Sequence, residues 1–287
     1  VTAHLDAPAS ATVAPELARS WLLVPGNAPE RFAAAAASPA DAVILDLEDA
    51  VPAAGKAAAR DDVVEWLRGG GRAWVRINDA TTVHWSDDLS ALAGVPGLQG
   101  VMLAKAESGQ QVDATAAQLP AGTRILVLIE SAVGLEATPE IARADGTFRL
   151  AFGSGDFRRD TGMDDSPLAM AYPRSRLVVS SRAARLPGPV DGPSLTDDPE
   201  VLEREAKLTA SMGMTGKLCM TPGRAPFVNA ALSPSSDEVG WAREVIDTLG
   251  EDGRGVRDGS DLPRLAKAKR ISELARVFRI RGTHHHR

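Results

Sequence analysis

Between residues 20 and 220 the chain alternates short apolar runs with stretches of helical character, and no other feature narrows its architecture as much. The runs at 20–24, 42–47, 73–77, 100–104, 124–129, 148–153, 188–191 and 216–220 are too short for helices. They are mostly apolar rather than alternating with polar residues, which suits strands covered on both faces of a parallel sheet. Several intervening segments, such as SPLAMAYPRSRLVVSSRAARL, read as one helix each and DPEVLEREAKLTASMG begins at Asp-Pro and stops at Gly, as helix capping favours. Eight such units predict a (β/α)8 TIM barrel, with a doubly wound open sheet as the alternative. The expected organisation is an N-terminal tail at 1–18, a catalytic barrel at 19–232, a C-terminal helical extension or lid at 233–280 and a disordered tail at 281–287. The extension carries helices near 236–249 and 262–279 and suits a lid or a subunit contact.

A formal charge of −6 argues against a duplex-binding surface, which needs an excess or a patch of Lys and Arg. No apolar run approaches the roughly 20 residues that span a bilayer. The segment VTAHLDAPASATVAPEL lacks the basic start and apolar centre of a secretory signal, so a cytoplasmic enzyme is the expectation. The single Cys219 has no partner for an internal disulfide and reads as core rather than nucleophile. The terminal THHHR is set aside from metal arguments.

In parallel α/β folds the reacting groups gather at the carboxyl ends of the strands. Four apolar runs here end in charge: AVILDLEDAV with Asp46, Glu48 and Asp49, RAWVRIND with Arg76 and Asn78, RILVLIESAVGLE with Glu130, and FRLAFGSGD with Asp156. Side chains alternate faces along a strand, so Asp46 and Glu48 share one face and point toward a common mouth. Glu130 and Asp156 come from adjacent strands, roughly 5 Å apart, where two carboxylates stay ionised together only with a cation or a shared proton between them. Oxygen ligands without His or Cys favour Mg2+, with Mn2+ as a substitute, over Zn2+. Asp46 and Glu48 then accept hydrogen bonds from water on the metal. The planar fork of Arg76 suits a substrate carboxylate, and metal beside arginine suits a 2-oxo acid. The competing readings are a helix cap or salt-bridge partner for Glu130 or Asp156, a capped helix start for DLEDAV, and a structural pairing of Arg76 with Asp46.

The segments RSWLLVPGNAPERF, VILDLEDAV, WVRIN, VMLAKAES, LIESAVGL and FGSGDF resemble, in this order, the landmarks of the citrate lyase β-subunit-like family of the HpcH/HpaI aldolase superfamily. The similarity spans nearly the whole chain, and the ordered set is specific where each motif alone is weak. The resemblance implies a (β/α)8 barrel assembled as a homotrimer or hexamer. It also implies a Mg2+-dependent acyl-CoA lyase that makes or breaks a carbon–carbon bond between a CoA thioester and a 2-oxo acid, as with malyl-, citramalyl- or citryl-CoA. It places the metal on Glu130 and Asp156 and the oxo-acid carboxylate on Arg76. It makes Arg19, Asn27 and Arg31 candidates for CoA contacts, with Lys105 either beside them or simply solvated. Main-chain N–H groups around Gly155 and Asp156 would hold the acyl-CoA enolate, which makes Gly155 a substrate contact.

Three departures from the family pattern stand out. GSGD replaces GAED or GGED, so Gly155 stands where an acid is usual; Thr221-Pro222 replaces a His-Pro pair; and DGSDLP is two residues shorter than the segment whose aspartate reaches a neighbouring subunit, if Asp261 is its counterpart. The candidate catalytic residues are therefore Asp46, Glu48 and Arg76 from the strand ends and, through the resemblance, Asp261 as acid, base or hydrolytic residue. Two other functions fit less closely: an aldolase for a free 2-oxo acid and an aldehyde, with Arg19 and Arg31 structural, and a catalytically weakened metabolite-binding barrel, suggested by Gly155 and Thr221.

Overall fold

A computed structural model describes residues 13–282. Most of the N-terminal tail expected at 1–18, most of the tail expected at 281–287 and all of THHHR lie outside the described residues. The chain divides into two compact units, Glu16–Leu232 and a smaller one that contains Ser233 onward.

The larger unit is a closed parallel barrel in which strands β1 (Ser20–Pro25), β2 (Ala42–Asp46), β3 (Ala73–Ile77), β4 (Leu98–Leu103), β5 (Ile125–Ile129), β6 (Thr147–Phe152), β7 (Val190–Asp191) and β8 (Gly216–Cys219) follow one another in sequence order. β8 closes on β1 through Ser20 opposite Lys217 and Leu22 opposite Cys219. The open sheet is thereby excluded. Alternation along each strand sorts the apolar residues into two sets. Trp21, Leu23, Ile44, Trp74, Met102, Leu126, Leu128 and Leu218 fill the barrel interior, while Leu22, Leu45, Val75, Val101, Val127 and Phe152 pack outward under the helices. The rings of Trp21 and Trp74 meet edge to face at 5.2 Å inside the barrel. Truncating either to Ala would cost about 3–5 kcal/mol in lost burial and cavity formation.

The same alternation positions the site. Asp46 follows the inward Ile44 by two residues, Arg76 follows Trp74, and Glu130 follows Leu128, so each inherits the inward face at the carboxyl end of its strand. Asp46 and Arg76 are also direct cross-strand partners.

Three elements depart from the sequence-based expectation. The stretch after β6 begins a helix at once, Ser154–Thr161, ended by left-handed Gly162 (φ 73°), and the single helix expected downstream is reduced to Ala171–Ala183. The predicted strand at 188–191 pairs only over Val190–Asp191. Cys219 is buried, and burial pushes its thiol up to about 12.

In the smaller unit, helices Ser236–Leu249 and Asp261–Phe278 pack through Val239, Ala242, Val245 and Leu249 against Leu265, Ala268, Ile271 and Ala275. Ser235 and Glu238 form a reciprocal capping box at the start of the first helix. No helix among the described residues is long and apolar enough to cross a membrane.

Candidate active site

The turn after β2 is organised by Asp46. Its carboxylate accepts the backbone N–H groups of Glu48 (2.9 Å) and Ala50 (3.1 Å), which fixes the chain as it leaves the strand. Lys56 donates to the carbonyls of Leu47 and Glu48 from below the turn. The loop after β1 closes on the same place: Gly26 N–H donates to Asp46 O at 2.8 Å, and a Cβ at Gly26 would stand 2.7 Å from that oxygen, so no side chain fits.

Arg76 spends its planar fork on Asp46, with Nε 2.7 Å from Oδ1 and Nη2 2.6 Å from Oδ2. Its Nη1 lies 3.3 Å from Glu48 Oε2 and 3.8 Å from Asp49 Oδ2. Burial works against the guanidinium charge, but Asp46 and Glu48 outweigh it and raise the pKa above its ordinary value. Arg76 is thus a structural partner of Asp46 as well as a residue of the cavity wall. Asn78 donates to Leu47 O and to the buried Asp88, buttressing β2 against β3.

Glu130 is 5% exposed and receives one hydrogen bond from the backbone N–H of Lys105, at 2.8 Å to Oε1. Burial is the main reason that its pKa rises to about 8; Glu48 and Asp156 add to the rise, and Arg76 and the Lys105 amide oppose it. Gly153, at the end of β6, makes room for this carboxyl group: a Cβ there would lie 2.5 Å from both Glu130 Cβ and Oε2. Asp156 sits in the first turn of the helix Ser154–Thr161, with Oδ1 3.2 Å from exposed Arg159. Its Oδ2 is buried without a hydrogen-bond partner, and Lys105 Nζ lies 3.9 Å away, beyond hydrogen-bond reach. The Lys105 ammonium is bound instead to Glu48 and, at 3.1 Å, to Asp49. Burial would lower its pKa, but these two acids outweigh burial and raise it.

A cavity of about 400 Å3 is lined by the polar Asp46, Arg76, Glu130 and Asp156 together with the apolar Leu23, Leu128, Leu218 and Met220. Among the described residues no three His, Cys, Asp or Glu side chains form a metal cage. The mouth offers a pair, Glu130 and Asp156, in which one acid carries a suppressed charge and the other an unpartnered oxygen. That donor set fits Mg2+, which takes one or two carboxylates and keeps waters and substrate oxygens.

The remaining sequence candidates are scattered. Arg19 precedes β1, at the amino end of the barrel, and its guanidinium is bidentate to Asp41 (2.7 and 2.9 Å). Its guanidinium is thus engaged away from the acids at the strands' carboxyl ends. Asn27 and Arg31 are exposed in the segment after β1, and Arg31 lines the cavity. Lys105, also a CoA candidate, is committed to the acids at the strand ends. Gly155 lines the cavity, and a Cβ there would meet no atom within 4 Å. Asp261 belongs to the smaller unit, where it accepts Arg257 N–H at 3.0 Å and pairs with Arg264 at 3.2 Å. Sequence reasoning missed Gly153, although a glycine between an apolar strand and an acid signals close approach by a neighbour.

Fold and site together define a (β/α)8 barrel protein with a cluster of acidic residues at the carboxyl ends of its strands. The chain belongs to the HpcH/HpaI aldolase/citrate lyase family, whose model matches residues 19–222, and the HpcH/HpaI aldolase C-terminal domain matches 237–279. It is 37% identical over 235 residues to a citrate lyase subunit beta-like protein of Mycobacterium tuberculosis, covering 79% of this chain and 83% of the relative. It is 31% identical over 267 residues to an L-malyl-CoA/beta-methylmalyl-CoA lyase of Cereibacter sphaeroides, covering 80% and 84%. Among solved structures, the protein CitE of M. tuberculosis in complex with magnesium, acetoacetate and coenzyme A superposes with a TM-score of 0.76 at 33% identity, covering 91% of this chain and 99% of that one.

Proposed function

We propose that this chain is a Mg2+-dependent carbon–carbon lyase that joins or separates a CoA thioester and a 2-oxo acid, with a malyl-, citramalyl- or citryl-CoA as substrate. The observation that carries the reading is the buried Asp156 Oδ2, without a hydrogen-bond partner, beside a Glu130 whose charge burial suppresses. A buried carboxylate oxygen without a hydrogen bond, next to a second buried acid, is costly unless a cation belongs there. The magnesium- and CoA-bound relative and the malyl-CoA lyase relative support the same assignment.

Glu130 and Asp156 would hold the cation, which when bound polarises the oxo-acid carbonyl. Asp46 holds Arg76 rigid, and the guanidinium N–H groups not spent on Asp46 are the donors for the oxo-acid carboxylate. Glu48, whose pKa burial raises, is the group assigned to proton transfer at the hydroxyl of the thioester substrate. The N–H groups of Gly155 and Asp156 stand in the first turn of their helix, where no intrahelical acceptor exists, and are assigned to the negative charge that grows on the thioester oxygen during cleavage. Arg31 and Asn27 are assigned to the CoA moiety. The working assembly is assigned as a homotrimer or hexamer, in which Asp261 serves a neighbouring copy; sedimentation checks the first point.

The deciding experiment measures cleavage of malyl-, citramalyl- and citryl-CoA beside free 4-hydroxy-2-oxo acids, with Mg2+ and with EDTA. Turnover of a thioester that EDTA abolishes and Mg2+ or Mn2+ restores is expected. Turnover of the free acids alone would replace the lyase with an aldolase.

A further inference from the structure

Lys105 is one of three non-glycine residues with positive φ among the described residues, at φ 49°. An L-residue is held there only when its surroundings demand it. Two contacts identify the demand. The left-handed turn after β4 points the Lys105 N–H at Glu130 Oε1, and the side chain then runs to the far side of the mouth, where its ammonium binds Glu48 and Asp49. The same ammonium stops 3.9 Å from Asp156 Oδ2. One residue therefore touches or approaches both members of the proposed cation-binding pair, by different chemistry.

We propose that Lys105 sets the affinity of the Glu130–Asp156 pair for its divalent cation through two opposed arms: a backbone amide that fixes Glu130, and an ammonium that competes with the cation for the negative charge of the mouth. This rests on the assignment of Glu130 and Asp156 as the cation ligands. The amide arm favours binding because it holds one carboxylate oxygen in place and leaves the other to the cavity, and it exists only while residue 105 stays left-handed. The ammonium arm disfavours binding. It neutralises Glu48 and Asp49 and places a like charge beside Asp156, so a cation arriving at that carboxylate meets repulsion. At separations of a few ångströms near a protein surface, this is enough to change affinity by about tenfold. Lys105 is on this view a positioning residue: it keeps the crowded acids together in the cation-free protein and keeps the cation exchangeable.

The test is Mn2+ binding to the full chain without substrate, by titration calorimetry or by the electron paramagnetic resonance of free Mn2+. Lys105→Met, which removes the charge and keeps the length, is expected to bind Mn2+ about tenfold more tightly than the parent. Lys105→Gly, which also tolerates the left-handed backbone, is expected to match it. Lys105→Val, whose branched Cβ resists that conformation, is expected to bind at least tenfold more weakly than Lys105→Gly. Equal or weaker binding by Lys105→Met overturns the ammonium arm, and needs no backbone change to interpret. Equal binding by the Val and Gly variants, both shown folded by circular dichroism, overturns the amide arm. A parent that binds no Mn2+ at all refutes the cation site itself, a failure distinct from either.

Discussion

Asp191 and Glu130 are both carboxylates at the ends of barrel strands, 0% and 5% exposed, and burial opposes the charge of each. Their outcomes are opposite. Asp191 accepts from Arg174 Nε (3.0 Å), Gly192 N–H (2.9 Å) and Thr209 Oγ1 (2.6 Å), with Lys217 Nζ at 3.4 Å. Lys217 and Arg174 outweigh burial and hold its carboxyl below the ordinary range. Glu130 has one amide donor and two acidic neighbours, and its pKa climbs to about 8. The comparison separates a buried charge that holds the barrel together from one left open for a ligand: the depth is similar, and the partners decide.

Four measurements break or sharpen that contrast, starting from the strongest. Glu130→Gln or Asp156→Asn is expected to lower metal-dependent kcat/KM by on the order of 10^4, ~5 kcal/mol of transition-state stabilisation, with the far-ultraviolet circular dichroism unchanged; full activity in either variant removes that residue from the site. Asp191→Asn leaves Arg174 and Lys217 buried against a neutral amide, so a loss of about 3–4 kcal/mol in unfolding free energy is expected. Its Mn2+ affinity should match the parent's, and a large change there would merge the two regions that the comparison keeps apart.

The third measurement concerns pH. The pKa of Glu130 is raised in the folded state, so its contribution to stability is fully present below the unfolded value near 4.5 and is lost as pH rises through about 8. Metal-free Glu130→Gln should therefore be more stable than the parent at pH 9, by about 2–4 kcal/mol, and the gap should close toward pH 4. A gap that widens toward acid would mean that Glu130 is ionised and well paired, as Asp191 is. The smallest effect is expected for Gly153→Ala, whose methyl group meets the Glu130 side chain at 2.5 Å. It should cost about 1–3 kcal/mol of stability and weaken Mn2+ binding by displacing the carboxylate, whereas unaltered binding would show that Glu130 has room to spare.

Much of this was legible before any coordinates. The eight apolar runs correspond to the eight strands, and two-residue alternation carried Asp46 and Glu130 from the apolar interior to the mouth. Less legible were the features that depend on what stands opposite. Arg76 read as a free fork for substrate, with Asp46 as a competing partner, and the register of β2 on β3 makes those two residues direct neighbours. Arg19 read as a CoA contact through the family resemblance, yet a residue just before a strand lies at the barrel's other end, and it finds Asp41 there. The helix Ser154–Thr161 escaped notice because its glycine and charged residues carry little apolar periodicity.

The sequence alone determined the barrel and the ring of charge at its carboxyl ends, because strand length, alternation and capping are local properties that neighbouring residues decide. Only the tertiary structure decided how that charge is shared. Lys105 and Glu48 are 57 positions apart, and Arg76 and Asp46 are 30 apart. Whether such groups meet depends on strand register, barrel closure and a left-handed turn, and so does the open oxygen of Asp156. Pair energies fall with distance, and distance between remote residues is not written in either one's surroundings.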